Sequence, residues 1–164
     1  MSCVYVAIGG NIDPETRLPL AARELCRRFP DARFSSCYRN PAFGFEGADF
    51  YNAVVAFHTA LEVDALLAQL QEIEALCGRD RTEAKWAPRA MDLDLLLYGE
   101  RLARTARYEL PRPDLLRRSY MLGPLAELAP QLRHPLTART MADHWQELSR
   151  QPYTHERLAL DLNA

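Results

Sequence analysis

Two aspartates stand two residues apart in Met91-Asp92-Leu93-Asp94-Leu95-Leu96-Leu97-Tyr98, directly after the basic, proline-marked stretch Lys85-Trp86-Ala87-Pro88-Arg89. Read as a strand, the segment alternates, with Asp92, Asp94, Leu96 and Tyr98 on one face and Leu93, Leu95 and Leu97 on the other. Two residues along a strand span about 6.6 Å, so both carboxylates leave the same side toward a common site. A sheet face that begins with two unpaired acids is costly unless a cation sits there. Hard carboxylates suit Mg²⁺, which takes one or two protein carboxylates and fills its shell with water and phosphate. A pair of ions about 3.5–4 Å apart could share such acids. The competing reading is a solvated strand end whose acids pair with nearby arginines.

The elements that must position these acids belong to a chain of 164 residues, 48% hydrophobic and 26% charged, which reads as one globular domain spanning 1–164. No stretch approaches the ~20 apolar residues of a membrane span. The start, Met1-Ser2-Cys3-Val4-Tyr5, has no basic region before its apolar run and is not read as a signal peptide. Four scattered cysteines with no Cys-x-x-Cys pair fit reduced thiols in a cytoplasmic protein, and four scattered histidines offer no zinc site. A net charge of -2 argues against general nucleic-acid affinity. Charge is nevertheless uneven: residues 79–118 hold ten basic and seven acidic residues, the remainder ten basic and fifteen acidic. Positive charge gathered around an acid pair fits a small polyanion with its metal, or simply an arginine-rich surface.

Cys3 to Gly9 reads as a strand ending in a Gly9-Gly10-Asn11 packing turn. Asp13 is expected to cap a helix over 14–29, with Pro14 at its first position and Leu18, Ala21, Ala22, Leu25 and Phe29 on its buried face. Residues 32–39 and Phe50–Phe57 read as two paired strands. The ten-residue loop between them carries Phe43 and Phe45, which with Phe50 could bracket a flat ring while Asn52 reads its edge, or could simply pack the loop. A helix opens at Glu62-Val63-Asp64 and stops at Gly78. After the acid strand, Leu102 to Leu110 reads as an edge strand. A helical segment follows from Asp114, broken at Gly123-Pro124, and a last helix spans Thr137 to Arg150. No structure is expected in the final fourteen residues. Strand, helix, strand, strand, helix, strand, then helices is the split βαβ order of an α+β, ferredoxin-like α/β sandwich with a mainly antiparallel sheet and helices on its faces. No phosphate-binding Gly-rich loop or protein-kinase signature is present.

Lys85-Trp86-Ala87-Pro88-Arg89-Ala90-Met91-Asp92-Leu93-Asp94-Leu95-Leu96 closely resembles the signature of the 6-hydroxymethyl-7,8-dihydropterin pyrophosphokinase family. The resemblance extends over about residues 4–130 through Ala7-Ile8-Gly9-Gly10-Asn11, Tyr38-Arg39-Asn40-Pro41, Asp49-Phe50-Tyr51-Asn52-Ala53-Val54 and Arg118-Ser119-Tyr120-Met121-Leu122. It implies transfer of the β,γ-diphosphate of ATP to the hydroxymethyl group of a reduced pterin, with release of AMP, on the route to folate. Asp92 and Asp94 would then hold two Mg²⁺, and Arg79 and Arg89 would act on the phosphates during transfer. Gln71, Glu74, Arg81, Lys85, Trp86, Leu95, Arg112 and Arg118 match nucleotide-side positions. Phe50 and Tyr120 match the aromatics that sandwich the pterin, Asn52 the group reading its edge, and Asn40, Pro41 and Phe43 the rest of that pocket. The two loops are expected to close over both substrates. The implied partners are ATP and the pterin alone, with no nucleic acid and no membrane, in a monomer.

The chain departs from the family pattern at Pro111-Arg112-Pro113, where a histidine usually follows the first proline, at Gly10, where serine is common, and at Asn40, where threonine is common. Arginine could still face phosphate, through a different geometry. Arg112 and Asn40 leave room for a diverged homologue with altered substrate or no activity. A ferredoxin-like sheet can also bind RNA through exposed aromatics, but the basic-aromatic strand motif is missing and an acid pair without metal repels phosphate.

Overall fold

The computed structural model describes residues 1–41, 48–78, 91–151 and 156–163. The chain runs β1 (Ser2–Gly10), α1 (Pro14–Arg28), β2 (Arg33–Phe34), β3 (Tyr38–Asn40), β4 (Phe50–Thr59), α2 (Val63–Leu76), β5 (Asp92–Tyr98), β6 (Ala103–Arg104), β7 (Glu109–Leu110), a 3-10 turn (Pro113–Leu116), α3 (Ser119–Leu128), α4 (Met141–Leu148) and β8 (Glu156–Arg157). The main sheet has the order β5-β1-β4-β3-β8, with β2 also on β4, and every pairing in it is antiparallel. This is the ferredoxin-like α/β sandwich the element order predicts.

β1 and β4 are apolar almost without interruption because helices cover both of their faces. Val4, Val6 and Ile8 of β1 join Ala53, Val55 and Phe57 of β4 beneath Leu18, Leu25, Leu66, Leu70 and Ile73 of α1 and α2. Tyr5, Ala7, Val54 and Ala56 face the other way, onto Met121, Leu122 and Leu125 of α3 and Met141 of α4. Each fully buried leucine in these layers contributes about 1.5–3 kcal/mol over leaving it exposed. Phe29 stacks on Phe57 with ring centroids 4.0 Å apart, closing one end of the first layer.

Several expectations need correction. Asp13 precedes α1 with φ 49 and makes no side-chain cap; its carbonyl receives the Thr16 and Arg17 amides instead. Gly9 and Gly10 are not a turn, since β1 continues through both. The strand expected over 32–39 is two short ones, because the Ser35 hydroxyl takes the Val54 N–H at 2.9 Å and interrupts the backbone ladder. The alternation of β5 fails after Leu95. Tyr5 pairs with Leu97 and Val6 with Leu95, so Leu96 is an extra, bulged residue. Leu96 and Leu97 therefore both face α3, and Tyr98, expected on the acid face, turns to the opposite core. Residues 102–110 form a separate two-stranded ribbon, β6 with β7.

α3 runs unbroken through Gly123-Pro124, the expected break. A Cβ at position 123 would lie 3.0 Å from the Trp145 ring, so glycine there lets α4 pack against α3. α4 begins at Met141 rather than 137 because Thr140 caps it, accepting the Asp143 N–H at 3.1 Å. The C-terminal residues, expected to be unstructured, add β8 to the edge of β3. No described helix is long and apolar enough to cross a membrane.

Beside α4, His134 and His144 meet edge to face, centroids 5.8 Å apart. The His134 Nδ1 accepts the Leu136 N–H at 3.2 Å, and His144 Nε2 lies 2.7 Å from the Thr137 hydroxyl. Burial lowers the pKa of His134, and the charge of His144 adds to it. Burial, then the Arg139 guanidinium, lowers that of His144, against the opposing carboxylates of Glu147 and Asp143. Both imidazoles thus protonate more readily in the unfolded chain, so stability is full above the unfolded value of about 6.5 and falls as pH drops below it. Urea midpoints taken between about pH 7.5 and 5.5, above the range where carboxylates titrate, should show this loss, and His134→Leu/His144→Leu should flatten it. An equal acid sensitivity in the double variant would disprove the assignment.

Candidate active site

β5 is an edge strand, so its outward N–H and C=O groups need partners from outside the sheet. Glu74 of α2, buried to 6% exposure, supplies one: its Oε2 accepts the Leu93 N–H at 2.9 Å. The Leu96 carbonyl at the bulge receives the Arg112 N–H, also at 2.9 Å. These two contacts pin the strand on either side of Leu95 and fix the direction of the acids.

Asp92 and Asp94 leave β5 on the face that carries α3. Their cross-strand partners on β1 are Gly9 and Ala7. Both aspartates are half-buried. Asp94 approaches Arg112 Nη1 at 3.8 Å, too long for a hydrogen bond, with both side chains 35% exposed. The Asp94 oxygens therefore keep lone pairs for another cation. The Arg112 Nε is buried and has no acceptor, a donor aimed at nothing the described residues supply. Among the described residues no group of three or more His, Cys, Asp or Glu is placed to hold a metal ion. A donor set of two hard carboxylates with room for water and phosphate fits Mg²⁺ and not zinc.

Tyr120, in the first turn of α3, faces the same space. Burial raises the pKa of its phenol, and the charges of Arg118, Asp114, Asp94 and Arg112 act on it. Arg118 itself stands at the N-cap of α3.

Across β1 lies the second half of the site. Gly9 pairs with Asp92 on one side and with Asn52 on the other, so acid and amide share one face at about 10 Å, two strand spacings. A Cβ on Gly9 would overlap the Asn52 Oδ1, so the buried carboxamide lies over the glycine. Asn52 Nδ2 donates to Asn40 Oδ1, and Asn40 Nδ2 to the Pro41 carbonyl at 3.2 Å. Phe50 lies two residues before Asn52, on the same face and half-buried, opposite Asn40 on β3. Next to this wall the Tyr38 hydroxyl donates to Glu127 of α3, which also accepts the Ser36 N–H at 2.8 Å. Burial pushes Tyr38 up to about 12, reinforced by Glu127. Burial also pushes Glu127 up, but the Tyr38 and Ser36 donors outweigh it and hold the carboxyl below its usual range.

The structure thus brings Asp92, Asp94, Arg112, Arg118 and Tyr120 to one side and Asn40, Pro41, Phe50 and Asn52 to the other. Leu95 does not join them. At 5% exposure its side chain faces the core beneath α1 and α2, because it alternates with Asp94. Gln71 is exposed on α2, while Glu74 from the same helix points inward to hold β5. Arg79, Arg81, Lys85, Trp86, Arg89 and Phe43 lie outside the described residues, as do the loops expected to close. Three contributors were not singled out from the sequence: Gly9 as the floor beneath Asn52, Glu127 behind Tyr38, and Asn11, whose Nδ2 bonds the Ala48 carbonyl at 3.0 Å. The Gly-Gly-Asn spacing was the signal available for the first and last.

Comparisons with known proteins identify relatives of this chain. A family model described as 7,8-dihydro-6-hydroxymethylpterin-pyrophosphokinase (HPPK) matches residues 5–130. The 2-amino-4-hydroxy-6-hydroxymethyldihydropteridine pyrophosphokinase of Synechocystis sp. is 39% identical over 139 residues, covering 83% of this chain and 71% of that protein. The protein of that name from Aquifex aeolicus is 31% identical over 155 residues, covering 93% and 96%, and that from Pseudomonas aeruginosa 39% over 136, covering 80% and 83%. Among solved structures, an HPPK-DHPS in complex with substrates superposes with a TM-score of 0.69 at 10% identity, covering 90% of this chain and 45% of the other. Plasmodium falciparum HPPK-DHPS with pteroate gives 0.69 at 10%, covering 89% and 44%. This chain therefore spans less than half of those fused chains, and at such identity they speak for the fold alone. The sequence match over most of the chain decides the rest: it belongs to the 7,8-dihydro-6-hydroxymethylpterin-pyrophosphokinase family.

Proposed function

We propose that this chain transfers the β,γ-diphosphate of ATP to the hydroxymethyl oxygen of 6-hydroxymethyl-7,8-dihydropterin, releasing AMP, in the synthesis of tetrahydrofolate. The observation that carries the reading is the row Asp92–Gly9–Asn52, which sets an acid suited to a cation and an amide suited to a ring edge on one sheet face. The pterin oxygen attacks the β-phosphorus, the bond from that phosphorus to the α,β-bridging oxygen breaks so that AMP leaves with that oxygen, and the hydroxyl proton passes to water. Asp92 and Asp94 would hold two Mg²⁺, which supply neutralisation of phosphate charge and a more acidic hydroxyl. Such transfer depends mostly on positioning and charge, which the chain's own groups provide.

In this reading Arg112, with its unsatisfied Nε, and Arg118 face the triphosphate. Arg79, Arg89, Arg81, Lys85 and Trp86 act with them from the preceding segment, and Gln71 lies on the nucleotide side. Glu74 serves by holding β5. Phe50 and Tyr120 enclose the ring, Asn52 exchanges hydrogen bonds with its edge, and Asn40, Pro41 and Phe43 complete the wall. A single domain over 1–164, a monomeric state and a cytoplasmic location belong to the same proposal.

Two measurements test it. With ATP, Mg²⁺ and the dihydropterin, Asp92→Ala and Asp94→Ala should each lower AMP formation about a hundredfold or more while the circular dichroism spectrum is kept. Turnover that survives either change refutes the role of the acids. Gly9→Ala should drive the Asn52 carboxamide off its seat and weaken pterin binding about tenfold or more, with ATP binding nearly unchanged, since a site left with misaligned polar groups loses affinity steeply. Unaltered pterin affinity would show that Asn52 does not read the ring.

A further inference from the structure

The last described residues, 156–163, fall beyond the stretch matched by the family model, yet they are tied to the molecule by several independent contacts. β8 pairs with β3 through Arg39↔Glu156 and Tyr38↔Arg157, and the Glu156 carboxylate accepts from the Arg39 guanidinium. The Leu158 N–H continues the ladder to the Cys37 carbonyl at 2.8 Å. Asn163 then closes on β2: its Oδ1 accepts the Phe34 N–H and its Nδ2 donates to the Phe34 carbonyl, both at 3.0 Å. One carboxamide thus replaces a missing strand neighbour. Asp161 fixes the backbone there by accepting the Asn163 backbone N–H at 2.9 Å. Between these polar contacts Leu162 is buried, and Leu158 and Leu160 pack against the core.

What the tail grips matters for the site. β3 is three residues long, and a strand so short with one neighbour is marginal by itself. Its other edge carries the pairs Tyr38↔Asn52 and Asn40↔Phe50. The orientation of the Asn52 carboxamide is set by Asn40, which accepts from its Nδ2. Held on one edge only, β3 could shift and let Asn40 turn away, freeing Asn52 to rotate.

We infer that residues 156–163 are a clasp that fixes the ring-binding wall from behind, with Asn163 a positioning residue for the pterin that acts through β2, β3 and Asn40 on Asn52. The inference rests on the function proposed above for Asn52. It assigns the clasp no part in binding ATP, whose side of the site lies across β1.

The test uses Asn163→Ala and Leu158→Pro in the full chain, the second removing the N–H given to Cys37. Binding of 6-hydroxymethylpterin is followed by its fluorescence, binding of a non-hydrolysable ATP analogue with Mg²⁺ by calorimetry, and backbone amide exchange by mass spectrometry. Each substitution removes hydrogen bonds worth about a factor of three to ten. The pterin Kd should therefore rise about three- to tenfold, that of the nucleotide analogue should change less than about twofold, and exchange should quicken across 33–40 while β1 and β5 stay protected. An unchanged pterin Kd overturns the inference. So does an equal weakening of both ligands with exchange quickened everywhere, which would mark a purely structural tail. If the parent chain binds the nucleotide analogue but no pterin, the proposed function fails, and unchanged exchange at 33–40 in Asn163→Ala would then refute the clasp separately.

Discussion

The arrangement depends on keeping two carboxylates of like charge two residues apart on one face of an edge strand. At about 6.6 Å their repulsion amounts to roughly 1–3 kcal/mol once solvent screening is allowed for. An edge strand is also the element most free to twist away from that repulsion. The fold answers with Glu74 on the Leu93 amide and the Arg112 amide on the Leu96 carbonyl. Leu93 and Leu95 anchor the same strand in the core below. The acids therefore stay aligned, and Arg112 stands near Asp94 at a distance that attracts without capturing it. A tight Asp94–Arg112 bond would compete with any metal; a 3.8 Å approach leaves the oxygens open.

Local patterning made most of the fold legible. The apolar periods of α1 and α2, Gly78 at φ 89 past the end of α2, and the split βαβ order all read directly. What failed was set by distant partners. The period of β5 breaks at Leu96 because its register with Tyr5 and Val6 requires a bulge, which no run of four apolar residues reveals. Proline and glycine suggested a break at 123–124, yet the ring of Trp145 fills the space that glycine leaves and the helix continues. β8 carries no apolar signal, since both of its residues are exposed. It is a strand because β3 offers an open edge.

The site divides in the same way. The acid pair, the aromatics and Asn52 could be named from residue type and spacing, and the resemblance to a family gave each a role. Their support could not be read. Glu74 reaches Leu93 from 19 residues away and Asn163 reaches Phe34 from 129, and neither distance leaves a trace in local sequence. Leu95 shows the opposite limit. Its place within a signature stretch suggested a ligand contact, while the pleat of the strand sends its side chain to the core.

The two halves of the site are joined through β1, and Gly9 is the residue where they meet. Any larger residue would displace the Asn52 amide, so the separation between acid and amide is held by two backbone ladders and one missing side chain. Groups on adjacent strands keep their spacing far better than groups on loops. A reaction that must bring a hydroxyl on a flat ring to a particular phosphorus needs that constancy, because an error of about 1 Å costs about a hundredfold in rate. The described residues thus provide a fixed floor. In the proposed function, selectivity would rest on that sheet floor.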